Sequence, residues 1–95
     1  MLRITREDQS SARATLKLEG FVAADWANLL EQVCLGLLRE GTAVTLDLTS
    51  VRRVDGAGVE ALERLGRAGV EIHCPPGPVA GLLEAEGVRM SLSTP

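Results

Sequence analysis

Leu2-Arg3-Ile4-Thr5 alternates apolar and polar residues, the two-residue period of a strand with one wet face. The polar run Glu7-Asp8-Gln9-Ser10-Ser11 predicts a turn. Ala14, Leu16 and Leu18, alternating with Thr15, Lys17 and Glu19, predict a second strand that ends at Gly20 and pairs with the first as an antiparallel hairpin. From Ala24 to Glu40 the period lengthens. Trp26, Leu29, Leu30, Val33, Leu37 and Leu38 fall at helical spacing, with Asn28, Glu31, Gln32 and Arg39 on the other side. This pattern puts Trp26 in the core rather than on a contact surface. Gly36, inside the helix, costs about 1 kcal/mol against alanine and invites close packing. Gly41 stands where a helix C-terminal glycine belongs, and Asp25 where negative charge suits the helix dipole.

A third strand is predicted over Ala43–Leu48, followed by a loop over Thr49–Asp55. The second helix should run Gly56–Arg67, burying Val59, Leu62 and Leu65. Its outer side carries Glu60, Glu63, Arg64 and Arg67, and the pairs Glu60–Arg64 and Glu63–Arg67 have the favourable i,i+4 order. Val70–Cys74 reads as a fourth strand, and Pro75-Pro76-Gly77-Pro78 as a rigid turn. A short third helix over Val79–Glu86 stops before Gly87. Residues 89–95 form an edge strand or a loose tail. The expectation is one α/β domain over 1–95, with its core in 12–88. It holds a four- to five-stranded mixed sheet and about three helices.

Composition narrows the chemistry. With one Trp, one Phe and no Tyr, the core must be aliphatic. A formal net charge of −3 argues against nucleic acid, which needs a basic face to displace counterions. No apolar run approaches the roughly 20 residues of a membrane-spanning helix. The first residues lack a signal peptide's apolar middle region. A cytoplasmic location without direct membrane insertion is therefore expected. Cys34 and Cys74 are far apart and read as two reduced, buried thiols. His73 and Cys74 are strand neighbours on opposite faces, so they do not chelate a metal together. No metal or cofactor is expected.

Gly56-Ala57-Gly58-Val59-Glu60-Ala61 reads G-x-G-x-x-A, the shorthand of a dinucleotide loop. That loop requires an apolar strand just before the glycines and an acidic residue about 20 positions on. Here a polar stretch precedes it, and the twentieth residue is Pro76. The simpler role for Asp55 is N-cap of the second helix, accepting from the amides that an anion would need. A small nucleotide or anion binder at Gly56–Gly58 stays as an alternative. No Ser–His, Cys–His or clustered-carboxylate arrangement marks an enzyme. Asp47 anchors the loop and Asp55 caps the helix in this reading.

The order of elements resembles the STAS domain, named for sulfate transporters and anti-sigma-factor antagonists. The resemblance is carried by Leu18-Glu19-Gly20, by Thr45-Leu46-Asp47-Leu48-Thr49-Ser50-Val51, and by Val54-Asp55-Gly56-Ala57-Gly58-Val59 with Leu62 and Leu65 beyond. It implies a non-catalytic module that docks a cytoplasmic protein: an anti-sigma factor or kinase-like protein, or the ATPase subunit of a lipid-asymmetry ABC transporter. In the antagonists the residue after the helix-start Asp is a phosphorylated serine. That position is Gly56 here, which has no hydroxyl; Thr49 and Ser50 are the nearby hydroxyls. The partner surface implied is Arg52, Arg53, Asp55, Gly56, Ala57, Gly58, Glu60, Glu63 and Arg64.

Overall fold

The alternating leucines of residues 14–18 and 44–48 lie side by side in a five-stranded sheet whose strands follow chain order. The computed structural model describes residues 1–10 and 12–92; at residues 8, 9, 91 and 92 it describes the backbone alone. The strands are β1 (Leu2–Ser10), β2 (Arg13–Val22), β3 (Ala43–Val54), β4 (Glu71–Cys74) and β5 (Ser91–Leu92). The helices are α1 (Ala24–Arg39), α2 (Gly56–Arg67) and α3 (Pro78–Ala85). β1 runs antiparallel to β2, and every later pair is parallel with one helix in each connection. Residues 93–95 of the expected edge strand or tail lie outside the described residues.

One face of the sheet is apolar. Leu16, Leu18, Leu46, Leu48, Ile72 and Cys74 are at most 1% exposed, and with Leu30, Cys34, Leu62, Leu65 and Leu83 of the helices they form a single cluster. The alternate strand positions Thr15, Lys17, Thr45, Asp47, Glu71 and His73 are polar and stay partly or fully exposed. His73 and Cys74 accordingly lie on opposite faces. His73 Nε2 is 3.4 Å from Glu71, whereas Cys74 is buried. Each helix closes with the same bond pair, for α2 Gly69 N–H to Gly66 O and Val70 N–H to Leu65 O. The left-handed glycine at that position lets the chain turn back into the next strand.

Three expectations need correction. The polar run is strand rather than turn from Glu7 to Ser10, because β1 stays paired with β2, through a register shift between Asp8 and Ser10, as far as Ser10 opposite Arg13; Ser11 lies outside the described residues. Polar side chains near the turn do not prevent the backbone from pairing, and β2 is held there by β3 on its other side. Of the loop expected over Thr49–Asp55, all but Asp55 is also strand, running beside an extension of β2 to Val22. Two bulges, where Asp47 and Ser50 flank an extra residue and Val51 and Arg53 flank another, break the two-residue alternation there. Finally, Trp26, Leu29 and Val33 are not core. They are 40%, 44% and 36% exposed, while Ala27, Leu30, Cys34 and Leu37 form the buried face of α1.

Cys34 yields a direct test of this core. Burial, reinforced by the negative charge of Glu31, pushes its thiol from 9.0 up to about 12. The raised value means that the folded chain holds a proton which the unfolded chain releases above about pH 9. This contribution is complete below that pH and is lost as pH rises towards 12. Native Cys34 should resist a thiol reagent at mildly alkaline pH and react only on unfolding. In Cys34→Ala the urea midpoint should fall less steeply with pH above about 9 than in the parent.

Candidate functional site

β2 and β3 are parallel and adjacent, so their C-terminal ends bring the starts of α1 and α2 together. Asp55 is the junction. Its Oδ1 accepts from the Gly58 amide at 2.8 Å, the expected N-cap bond of α2. Its Oδ2 accepts from the Ala24 amide at 3.0 Å, at the first turn of α1. The Asp55 amide donates to the Val22 carbonyl at 3.2 Å. Ala24 has φ +50, a left-handed conformation costly for a residue with a Cβ, and the Asp55 carboxylate holds its amide there. One carboxylate thus caps one helix and fastens the start of another.

Gly58 explains how closely these pieces meet. A Cβ on Gly58 would overlap the Val22 carbonyl oxygen and stand 2.7 Å from Val54 Cγ1. Gly58 is buried and shapes the site from within. Gly56 is different: its φ is not positive, and a Cβ there would meet nothing within 4 Å. Gly56 and Ala57 are exposed on the first turn of α2.

Arg52 and Arg53 are exposed at the end of β3 rather than on a loop, and the Arg53 guanidinium sits 5.8 Å from the Phe21 ring centre. Phe21 is itself 41% exposed. Asp47 anchors the first β3 bulge, accepting from the Thr49 hydroxyl at 2.6 Å and the Thr49 amide at 3.0 Å. Burial pushes its carboxyl up, but these two bonds with Lys17 and His73 hold it below the usual value.

Beside Gly56 an open groove of about 420 Å³ runs between α2 and α3. Its apolar wall is Val54, Val59 and Leu82, and its charged residues are Asp55, Glu60, Glu63 and Glu86. These four carboxylates give the groove an acidic rim around its apolar strip. Glu63 is bridged to Arg67 at 2.8 Å, as the i,i+4 spacing predicts. Arg64 departs from its predicted pairing with Glu60: it forks onto Glu31 of α1 at 2.7 and 2.9 Å. That hydrogen-bonded guanidinium holds the Glu31 carboxyl below its usual value against a small burial effect. The tertiary partner wins because both Glu31 oxygens meet the planar fork. Arg64 is thereby a strut between α1 and α2.

Among the described residues no three His, Cys, Asp or Glu side chains gather as a metal site would require, and no helix is long and apolar enough to cross a membrane. Residues 5–92 match the family model described as "Mlab, STAS domain". The chain belongs to the STAS family.

Solved STAS-like structures share its fold. An anti-sigma factor antagonist from Mycobacterium paratuberculosis superimposes with a TM-score of 0.77 at 16% identity, covering 92% of this chain and 79% of that one. The anti-sigma factor antagonist SpoIIAA in unphosphorylated form gives 0.66 at 16% identity, covering 97% and 90%. The Bacillus cell fate determinant SpoIIAA in phosphorylated form gives 0.72 at 14%, covering 97% and 92%. No curated protein sequence matches. The STAS fold is generally non-catalytic. The Asp55 cap and the α2 helix were legible in the sequence of this STAS domain. The tie to Ala24 was not, because it joins residues 31 apart.

Proposed function

We propose that this STAS domain docks a cytoplasmic regulatory protein, as an anti-sigma-factor antagonist does, without carrying the phosphorylation switch on its own helix start. The contact surface is the end of β3 at Arg52 and Arg53, then Asp55, Gly56 and Ala57, and the outer side of α2 at Glu60 and Glu63. Gly58 supports that surface from beneath, and Arg64 borders it. The observation that carries this reading is the helix start itself. It is held rigid by both oxygens of Asp55, and it presents Gly56 and Ala57 outward with no hydroxyl between them.

The adjoining groove defines the partner's chemistry. Its carboxylates and its Val54–Val59–Leu82 wall fit a segment that carries basic residues around an apolar one. A second reading keeps the surface and makes the partner the ATPase subunit of a lipid-asymmetry transporter, favoured by the description "Mlab" of the matching family.

Intact-mass measurement tests the missing switch. After incubation with the cognate kinase, the parent chain should remain unmodified, while Gly56→Ser should accept one phosphate. Space for that side chain exists, since nothing lies within 4 Å of the Cβ position. Phosphate at Gly56→Ser would act on the partner rather than on the fold, adding roughly −1.5 to −2 charges to a packed interface. Stoichiometric phosphate on the parent chain, at Thr49 or Ser50, would show that the switch has moved onto β3 rather than vanished, and a Gly56→Ser chain that takes no phosphate would contradict the proposal.

A further inference from the structure

The misplaced stripe of α1 has a pattern of its own. Trp26, Leu29, Val33 and Gly36 recur at spacings of three, four and three, so they line one side of the helix. The three side chains are 40%, 44% and 36% exposed, and Gly36 offers an open notch, since a Cβ there would meet nothing within 4 Å. A two-fold axis passing between two copies of the helix at the level of residue 31 sets Trp26 opposite Gly36 and Leu29 opposite Val33. The largest side chain faces the position with none, and the two middle-sized ones face each other. A parallel pairing would oppose Trp26 to Trp26 and leave two notches unfilled.

Charge agrees with the same axis. Asp25 lies in the first turn of the helix and Arg39 ends it, both exposed and on one flank of the stripe. In an antiparallel helix pair each flank meets its own copy. Asp25 then comes within two residues, about 3 Å of helical rise, of Arg39 in the second copy. Symmetry makes this pair twice. A parallel two-fold pair would instead put this flank of the two copies on opposite sides of the interface, where neither Asp25 nor Arg39 meets its counterpart in the other copy.

We propose that the chain forms a homodimer through antiparallel pairing of α1, with Trp26 of each copy seated over Gly36 of the other. Three partly exposed side chains and a notch are far fewer than the roughly 20–30 residues a side of a standard interface, so the dimer is a weak one, with a dissociation constant on the order of 100 μM.

Trp26 is the sole tryptophan, so its fluorescence reports the contact directly. The emission maximum should move to shorter wavelength with rising protein concentration, in step with the dimer fraction from sedimentation equilibrium. Leu29→Glu, at an exposed site, should leave the circular dichroism spectrum unchanged and the chain monomeric. Gly36→Leu should do the same by filling the notch. Asp25→Arg and Arg39→Asp should each weaken association by about tenfold, and the double variant should recover it to within about twofold. A chain that stays monomeric at about 1 mM overturns the proposal. So does a dimer that survives Leu29→Glu, which would point to another surface such as the β1 edge. A charge-swapped double variant no better than the single ones overturns the antiparallel arrangement.

Discussion

Gly58→Ala is expected to destabilise the domain by about 3 kcal/mol, and its neighbour Gly56→Ala to leave stability unchanged or slightly raised. The two glycines are two residues apart in the first turn of α2, but their surroundings are opposite. At Gly58 the new methyl group would enter the space of the Val22 carbonyl oxygen. That oxygen is held in place by the Asp55 amide, so it cannot retreat without breaking a bond at the junction of both helices. Backbone, unlike a flexible side chain, has no alternative rotamer. At Gly56 the methyl group would meet nothing within 4 Å, and alanine is the better helix former. Thermal melts of the two variants and the parent check this. For a domain of this size 3 kcal/mol lowers the melting temperature by about 12–24 °C. Equal melting temperatures for the two variants would show that α2 does not approach β2 this closely.

Asp55→Ala is the second large effect, about 2–3 kcal/mol. Loss of a helix N-cap alone costs about 0.5–2 kcal/mol. The same substitution also removes the acceptor for the Ala24 amide, another 0.5–1.5 kcal/mol or so, and releases a residue at φ +50 that then has no reason to stay left-handed. The consequence is specific: the start of α1 frays although the substitution lies 31 residues away. Hydrogen exchange of the amides of residues 24–27 should accelerate in Asp55→Ala more than exchange in the middle of α1. Asp55→Asn retains one acceptor oxygen and should fall between parent and alanine. Fraying confined to α2 would mean that Asp55 is a cap and nothing more.

What the sequence disclosed follows from which interactions are local. The helix Gly56–Arg67 and its cap were legible because the glycines, the acidic residue and the 3.6-residue period all lie within one stretch. The alternating strands around Leu16 and Leu46 were legible for the same reason. The end of β3 was not: its two bulges displace Val51 and Val54 from strict alternation, although both are only 7% exposed. α1 misled in another way. Its apolar residues cover more of the helix than the core can take, and small Ala27 and Cys34 join Leu30 and Leu37 on the buried side while the large Trp26 stays out. Arg64 had a plausible local partner in Glu60 and took a distant one in Glu31. In the candidate site, the position of Gly56 could be read from the chain. The groove against α3 and the tie to Ala24 arise only from folding.

The docking surface is the central claim, and amide chemical-shift mapping tests it most directly. The isotope-labelled domain is titrated separately with the anti-sigma or kinase-like protein and with the transporter ATPase subunit from the same cell. Saturable binding of one of them should shift the amides of Arg52, Arg53 and Asp55 to Glu60 and those along the groove at Leu82 and Glu86. The open polar face of the sheet around Lys17, Thr45 and His73 should stay unperturbed. Binding that perturbs the polar face and spares residues 52–60 would contradict the account.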